Sequence, residues 1–359
     1  MKVAFLNGVF ARIGGIEEFT HDLVLELLRK DMAVRIVCAS LKNPTLDRLK
    51  RAGAKVRKIP VYHGCRWNIP DYALLPFACF WLRGADVVIH QKPFAKWAYR
   101  ILPQRAKHIY LTSYSPADQF PDIAGAKRVF SFFDGVVTQL ESFKVELLER
   151  GVECPISVIP LIPPRIAELP VSQNESRILR IGMMGRLEPQ KNPAYACDVM
   201  EALSQSLPEG KVSVEFHVYG EGSLSSSLKK KTGSLKCKTE FHGVYERSAV
   251  ERIVSENDGF LITSNSEGQC IVALEILAAG RPVFATPVGA LPAILTDPIR
   301  GALLPRENPG EAAKMIRTWF ELNRLTSASD VQKSYQKNYD RDAVVAAYVD
   351  LLLGIGRSG

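Results

Sequence analysis

The sequence has 359 residues, of which 47% are hydrophobic and 23% charged, and its formal net charge is +8 at pH 7. These values are typical of an ordinary soluble globular protein that buries a large core, and the length suggests two domains. The seven cysteines are scattered, odd in number and without a CxxC pair, so they indicate neither a disulfide framework nor a zinc site.

The N-terminal sequence MKVAFLNGVF lacks the order of basic, apolar and small-residue regions found in a signal peptide. The longest apolar run, Tyr72 to Leu82, is too short to span a bilayer and contains Pro76. We therefore expect a protein of the reducing cytoplasm whose contact with a membrane is at most peripheral, on its inner face.

The positive charge is concentrated in the first half of the chain. Residues 1–165 contain 24 Lys and Arg against 15 Asp and Glu, a net of +9, and the remainder has a net of −1. Two basic stretches, residues 42–66 and 92–107, are each compatible with a solvated face. Occurring together, they favour an anionic partner about as much as two solvated faces. No nucleic-acid-binding motif accompanies them, so we expect no nucleic-acid partner.

Strand and helix patterns alternate through the first half. Apolar residues recur at helical spacing in Glu17–Arg29, and a second helix is predicted at Ser142–Arg150. Alternation of this kind predicts a doubly wound parallel sheet. The predicted strands are Val3–Leu6, Val34–Cys38, Val56–Ile59, Asp86–His90, His108–Thr112 and Val136–Gln139.

A proline-rich segment, residues 155–170, has five prolines in sixteen residues and is interpreted as a linker. A second alternation follows. We predict an α/β protein with domains at 1–165 and 166–335 and a C-terminal helix, 336–359, that packs back toward the first domain. The second set of strands is Leu179–Met184, Val212–Tyr219, Thr239–His242, Gly259–Thr263 and Pro282–Ala285, with helices from Asn192, Ser223, Ser248 and Ile271.

Glycine-containing turns follow several predicted strands. Parallel sheets bind ligands at these carboxyl ends of their strands. Gly14 and Gly15 precede the first helix, whose N-terminus favours an anion. Their spacing is not that of the dinucleotide-binding motif GxGxxG. Two glycines in a turn are at least as often purely structural. Gly185 opens a loop that carries Arg186 and Lys191. A guanidinium fork and an ammonium at one loop can bind a diphosphate.

The helix predicted from Ile271 to Ala279 is apolar around its whole circumference, yet it contains Glu275. An all-apolar helix is normally buried, so this carboxylate requires a polar partner. Glu267 precedes the helix in the loop, beside Gly268. One carboxylate therefore lies at the helix entrance and another along its body.

In order and spacing these motifs resemble retaining glycosyltransferases of family 4 (glycosyl transferases group 1), which have the GT-B fold. The motifs are Gly-Gly-Ile-Glu at 14–17, Gly-Arg-Leu-x-x-x-Lys at 185–191, Tyr-Gly-x-Gly at 219–222, Phe-His-Gly at 241–243, and Ser-x-x-Glu-Gly-x(6)-Glu at 264–275. The resemblance covers nearly the whole chain. It implies two doubly wound, Rossmann-like domains facing a central cleft that binds a nucleotide-diphosphate sugar.

The resemblance also implies roles for individual residues. Glu275 would accept hydrogen bonds from the ribose hydroxyls, and Glu267 would lie against the transferred sugar. The base would lie near Tyr219 and Val244. The backbone that would face the sugar and the diphosphate comprises Gly185, Gly220, Gly268, Gln269, Cys270, Ile271 and Val272.

Family chemistry implies retention of the anomeric configuration by front-face attack, in which the departing phosphate takes the acceptor's proton. The loops at the expected diphosphate site contain no Asp-x-Asp motif, so we expect no metal and no cofactor besides the sugar nucleotide. Arg186 and Lys191, with the Gly14–Gly15 amides and the helix terminus, would stabilise the leaving group. The expected acceptor is a saccharide or a lipid-linked saccharide of cell-surface polysaccharide or glycoconjugate synthesis.

One motif departs from the family pattern. Many relatives have a histidine after the fifth strand, whereas this chain has Ser113 and Tyr114 at the matching place. Tyr114 can donate or accept a hydrogen bond there. His90, at the end of the fourth strand, could substitute on the acceptor side, although such a histidine is more often structural.

Two other functions are compatible with this architecture. A nucleotide-sugar 2-epimerase would need the same diphosphate site but more carboxylates and histidines in the cleft. A non-enzymatic two-domain ligand-binding protein of the periplasmic kind is also doubly wound and hinged. For that class we would expect a signal peptide.

Overall fold

The computed structural model describes residues 1–9, 15–39, 44–59, 75–91, 100–112, 115–116, 120, 122–165, 178–207, 213–323 and 325–357. The chain divides into two compact units: residues 1–162 together with 341–359, and residues 163–340. Each unit contains its own parallel sheet.

In the described part of the first unit, seven parallel strands lie in the order β3-β2-β1-β4-β5-β6-β7. Every residue of β4 and of β6 is buried, which is typical of central strands covered on both faces. The strands are β1 Lys2–Val9, β2 Ala33–Ala39, β3 Lys55–Ile59, β4 Val87–His90, β5 Lys107–Leu111, β6 Gly135–Thr138 and β7 Ile156–Val158. The helices are α1 Gly15–Arg29, α2 Pro44–Arg51, α3 Leu75–Leu82, α4 Ile123–Phe130 and α5 Glu141–Glu149.

The described part of the second unit has six parallel strands in the order β10-β9-β8-β11-β12-β13. The strands are β8 Ile178–Met184, β9 Ser213–Tyr219, β10 Lys238–Gly243, β11 Gly259–Ile262, β12 Val283–Ala285 and β13 Gly301–Leu303. The helices are α6 Pro193–Ser206, α7 Ser225–Thr232, α8 Val250–Ser255, α9 Ile271–Ala278, α10 Leu291–Ile294, α11 Pro309–Leu322 and α12 Ala328–Gln336.

Both sheets are doubly wound. The strand order reverses between β1 and β4 in the first unit and between β8 and β11 in the second. At such a reversal the connections leave in opposite directions and open a crevice at the carboxyl ends of the strands. The predicted α/β class with two doubly wound sheets is confirmed.

Two strands were absent from the sequence prediction. Ile156–Val158 lies in the segment interpreted as a linker, yet it pairs with β6 through Val136↔Ile156. Gly301–Leu303 pairs with β12. Both strands have three residues, too few for a periodic pattern, and flanking prolines hid the first.

The chain ends in helix α13, Arg341–Arg357, which belongs to the first unit. The guanidinium of Arg341 donates to Glu26 at 2.8 Å and lies 3.6 Å from Asp22, both on α1. The ring of Tyr348 packs against Phe19, with the centroids 5.7 Å apart. Among the described helices, none has both the length and the apolar character needed to cross a bilayer.

Candidate functional site

The loops that follow β8, β9 and β10 are joined by backbone hydrogen bonds. The amide of Gly185 donates to the carbonyl of Tyr219 at 2.9 Å, and the amide of Leu187 donates to Glu221 at 3.0 Å. The amide of Gly220 donates to the carbonyl of Gly243 at 2.7 Å. Three neighbouring strand ends therefore form one connected layer of backbone.

Gly220 is required by this layer. Its φ is +133°, and a Cβ added there would lie 1.9 Å from the carbonyl oxygen of Gly185. Side chains rarely adopt such a φ, and the approach leaves no room for one. The close packing of the two loops is thus sufficient to explain why position 220 is a glycine. Gly220 was predicted to belong to the donor site.

A second set of bonds joins the loops after β8 and β11, the two strands at which the sheet order reverses. The hydroxyl of Thr263 donates to the carbonyls of Lys191 at 3.1 Å and Asn192 at 2.9 Å. The amide of Asn265 donates to Gln190 at 2.8 Å. These bonds hold the Lys191 loop beside the segment that carries Glu267.

Lys191 and Glu267 form a buried ion pair. Nζ of Lys191 lies 2.5 Å from Oε1 of Glu267, and the side chains are 19% and 7% exposed. The hydroxyl of Ser264 donates to the same carboxylate oxygen at 2.6 Å. The two predicted residues therefore meet directly, and Ser264, which belongs to the same motif but had no predicted role, is a third member.

Opposing effects act on the pKa of Lys191. Burial lowers this pKa, but the neighbouring Cys270 and Glu267 outweigh burial, so the net pKa is raised. Burial raises the pKa of the Cys270 thiol to about 12, so that group is neutral at pH 7. The carboxylate of Glu267 is thus the charge that keeps Lys191 cationic.

Helix α9 begins immediately after this pair. Cys270 is its N-cap and has a φ of +54°, a left-handed conformation that is uncommon outside glycine and asparagine. First-turn amides of a helix have no acceptor within it and favour an anion, so the entrance of α9 presents donors beside Lys191. Arg186, in the loop after β8, is exposed to solvent.

The segment before α9 is supported by a glycine that the sequence analysis missed. The amide of Ala290 donates to the carbonyl of Gly268 at 2.9 Å. Gly289 has a φ of +55°, and a Cβ there would lie 2.4 Å from the carbonyl oxygens of Glu267 and Gly268. A turn after β12 therefore positions the loop of Glu267.

Glu275 is 7% exposed in the middle of α9. Oε1 of Glu275 lies 3.8 Å from Nε of Arg247, which comes from the turn after β10. Burial, followed by the charge of Glu275, raises the pKa of the Tyr245 hydroxyl, which stays protonated. The polar partner expected for Glu275 is therefore present within the protein, and it is Arg247. The sequence alone did not identify it.

Tyr219 and Val244 differ in accessibility. Tyr219 is 2% exposed, its hydroxyl accepts a hydrogen bond from Asn257 at 3.1 Å, and its ring lies 4.3 Å from that of His242. The side chain therefore supports the end of the strand, and the prediction that the base lies near Tyr219 concerns its backbone. Val244 is 62% exposed and can offer such a contact.

Four predicted residues belong to the first unit: Gly14, Gly15, His90 and Tyr114. Gly14 and Tyr114 lie outside the described residues, and Gly15 begins α1. His90 is completely buried, with Nε2 2.8 Å from Nδ1 of His108. Burial and the neighbouring His108 hold the pKa of His90 well below its usual value. A neutral ring in the core lacks the exposure that an acceptor-side role requires.

Residues 178–321 match the family model described as Glycosyl transferases group 1. This segment forms a glycosyl transferases group 1 domain. It contains Lys191, Arg247, Glu267 and Glu275. D-inositol 3-phosphate glycosyltransferase of Mycobacterium leprae is 27% identical over 179 residues, which are 47% of this chain and 41% of that protein. The chain thus spans about two fifths of the length of this curated relative.

Solved structures resemble the whole chain. A variant of TarM from S. aureus, in complex with fondaparinux, α-GlcNAc-glycerol and UDP, has a TM-score of 0.77 at 14% identity, covering 98% of this chain and 100% of that one. HepE from Anabaena, in complex with UDP and glucose, has a TM-score of 0.75 at 16% identity, covering 99% and 100%. At these identities the similarity establishes the fold, and the GT-B class is confirmed.

Proposed function

We propose that this protein is a retaining glycosyltransferase that moves a sugar from a nucleotide-diphosphate sugar to a saccharide or lipid-linked acceptor. The observation that carries the proposal is the arrangement around α9. Lys191 and Glu267 meet at the entrance of this helix, and Glu275 is buried along its body. All three lie in the glycosyl transferases group 1 segment.

The donor would bind with its ribose at Glu275 and its diphosphate at the start of α9. A buried carboxylate can accept two hydroxyl hydrogen bonds while a cation on its other side offsets its charge. Arg247, 3.8 Å away, supplies that cation. The bound UDP of the TarM and HepE structures supports a nucleotide at such a fold.

Sugar transfer would need charge stabilisation on the departing diphosphate. Lys191 is held as a cation, Arg186 is exposed in the same loop, and the amides at the entrance of α9 are donors. We propose that these groups act without a metal ion. The departing phosphate would take the acceptor's proton during front-face attack, so that the anomeric configuration is retained.

The acceptor would be anionic or presented at an anionic surface. Lys50, Arg51, Lys55 and Arg57 are exposed in the first unit. Their density favours a lipid-linked or polysaccharide acceptor at the inner face of a membrane, with the protein bound peripherally. Of the second basic stretch, residues 92–107, the part from 92 to 99 lies outside the described residues.

The test compares Glu275→Ala and Glu275→Gln with the parent in calorimetric titrations with UDP. We expect the alanine variant to lose about 1.5–3 kcal/mol of binding free energy, roughly ten- to a hundredfold in affinity, because hydrogen bonds to a charged group are removed. Glu275→Gln should retain part of the affinity. Glu256→Ala, an exposed glutamate of the same unit, is the matched control.

Equal affinities in Glu275→Ala and the parent would refute the ribose assignment. A screen of sugar nucleotides for nucleotide release, followed by NMR of the product's anomeric proton, would identify donor and stereochemistry. Inversion would exclude the proposed mechanism. Isotope exchange into the sugar without an acceptor would instead identify a 2-epimerase.

A further inference from the structure

Strands β9 and β10 bring two histidines and a glutamate together on one face of the second sheet. Glu240 is in register with His217, and His242 lies two residues further along β10. The register shifts between Phe241 and Gly243, but the ring of His242 stacks on that of His217 with the centroids 5.2 Å apart, so all three side chains lie on the same side. Their ligand atoms lie within 4.8 Å of one another, and among the described residues no other such group occurs.

We propose that His217, Glu240 and His242 bind one divalent transition-metal ion, with Zn²⁺ the best match. Two imidazole nitrogens and one carboxylate oxygen form a donor set that zinc commonly takes, with a water as fourth ligand. Nδ1 of His217 lies 3.0 Å from Nε2 of His242. Two nitrogens bound tetrahedrally to one zinc are about 3.3 Å apart, so zinc binding would separate this pair slightly, turn both rings toward the ion and draw in the carboxylate of Glu240, which lies within 4.8 Å of them.

The surroundings of His217 match those of a metal ligand. Nε2 of His217 lies 3.4 Å from Oε2 of Glu215, two residues back on the same face. Ligating histidines usually donate their second ring N–H to a carboxylate, which orients the ring and raises its basicity. Glu215 is held in turn by Arg180 at 3.3 Å and Lys238 at 3.1 Å.

The hydrogen bonds are compatible with a tautomer of His217 that leaves Nδ1 free of a proton. If Nε2 of His217 donates to Glu215, then Nδ1 of His217 is a lone pair and accepts from Nε2 of His242. In that tautomer Nδ1 of the buried histidine can bind an ion without first losing a proton. His242 is exposed, so its proton can move to Nδ1 through solvent and free Nε2.

Access and charge are compatible with an ion. His217 is buried, Glu240 is intermediate and His242 is exposed, so the open side faces solvent and can admit a metal and a water ligand. Nζ of Lys238 lies 2.6 Å from Oε1 of Glu240. A carboxylate has two oxygens, and Oε2 can bind the ion while Oε1 keeps Lys238.

The ion would act structurally. Strand β10 is the edge of the sheet, and the carbonyl of Gly243 accepts the bond from Gly220 that joins the loops after β9 and β10. An ion shared by the two strands would fix β10 against β9 immediately before those loops. It would stabilise the folded state because the site is not formed in the unfolded chain.

The experiment uses metal-stripped full-length protein, dialysed against micromolar ZnCl₂ and analysed by elemental mass spectrometry, with melting temperature measured in parallel. We expect one zinc per chain and a rise in melting temperature. His242→Gln and Glu240→Gln should each lose at least tenfold in affinity and most of the rise. Lys238→Gln, the matched control on the same face, should bind zinc at least as well as the parent.

Two outcomes would overturn the proposal. One is sub-stoichiometric zinc in the parent, and the other is equal binding by the parent, His242→Gln and Glu240→Gln. Replacing zinc with Co²⁺ distinguishes this site from the seven cysteines of the chain, because cobalt bound to thiolate shows a charge-transfer absorption band. A thiolate band in the cobalt protein would place the ion elsewhere. UDP affinity is measured separately and bears on the proposed function alone.

Discussion

At the scale of single residues, the candidate site depends on a charge pair that is largely removed from water. Nζ of Lys191 lies 2.5 Å from Oε1 of Glu267, and the hydroxyl of Ser264 donates to the same oxygen. Burying two charges costs several kcal/mol, and close contact with hydrogen bonds offsets that cost.

This pair leads to a prediction about stability. Lys191→Met and Glu267→Gln should each lower the free energy of unfolding by about 3 kcal/mol, because each leaves a buried polar partner uncompensated. The double variant should lose less than the sum, with a coupling energy of about 1–3 kcal/mol. Urea denaturation of the four proteins measures the cycle.

The matched control is the pair of Arg252 on α8 and Glu256, the C-cap of that helix, which approach to 2.9 Å but have side chains 66% and 45% exposed. Its coupling energy should stay below about 1 kcal/mol because water screens exposed charges. Additive losses at Lys191 and Glu267 would show that the two side chains do not interact in solution.

At the scale of elements, the site is assembled by loops that bond to one another. The loops after β8, β9 and β10 share backbone hydrogen bonds, and the loop after β8 also bonds to the loop after β11. Strand ends of a parallel sheet lie side by side, so loops distant in sequence become neighbours. This network holds Lys191 and Glu267 at one place.

Gly220 is the most crowded point of that network. Gly220→Ala should lower the unfolding free energy by more than about 2 kcal/mol, because the new Cβ meets the carbonyl of Gly185 and the φ of +133° is strained for a side chain. Gly233→Ala is the control, since its Cβ would make ordinary contacts at 3.6 Å or more. Equal melting temperatures for the two variants would contradict this account of the loop crossing.

Sequence patterns predicted most elements but not the partners of the site. Glycines and prolines located the loops, and the buried Glu275 implied a polar partner. Arg247 was missed because the partner comes from the turn after β10 and no local pattern links it to α9. Gly289 was missed, and Ser264 had no predicted role, for the same reason: their contacts depend on how loops meet, which spacing does not encode.

At the scale of the whole molecule, charge is distributed unequally along the chain. The first 165 residues hold a net +9 and the remainder a net −1. Each Lys or Arg near an acidic bilayer contributes on the order of 1 kcal/mol of attraction, which salt screens. Lys50, Arg51 and Arg57 are exposed in the first unit and are available for such attraction.

Co-sedimentation with vesicles rich in phosphatidylserine tests this surface. Changing Lys50, Arg51 and Arg57 to Ser should weaken binding about a hundredfold, since roughly 3 kcal/mol is removed. The control variant changes three exposed lysines of the second unit to Ser: Lys230, Lys236 and Lys314. Its vesicle binding should weaken less. Binding that ignores salt and lipid charge would exclude an electrostatic membrane surface and favour a soluble acceptor.

The sequence by itself determined the α/β class, the doubly wound sheets, the glycine loops and the carboxylates of α9, because these follow from local periodicity and residue type. Tertiary structure alone decided which of them meet. It paired Lys191 with Glu267, placed Arg247 beside Glu275, withdrew His90 and Tyr219 into the cores and set His217 beside Glu240 and His242. These outcomes depend on strand order and register, which long-range packing establishes and no short stretch of sequence contains.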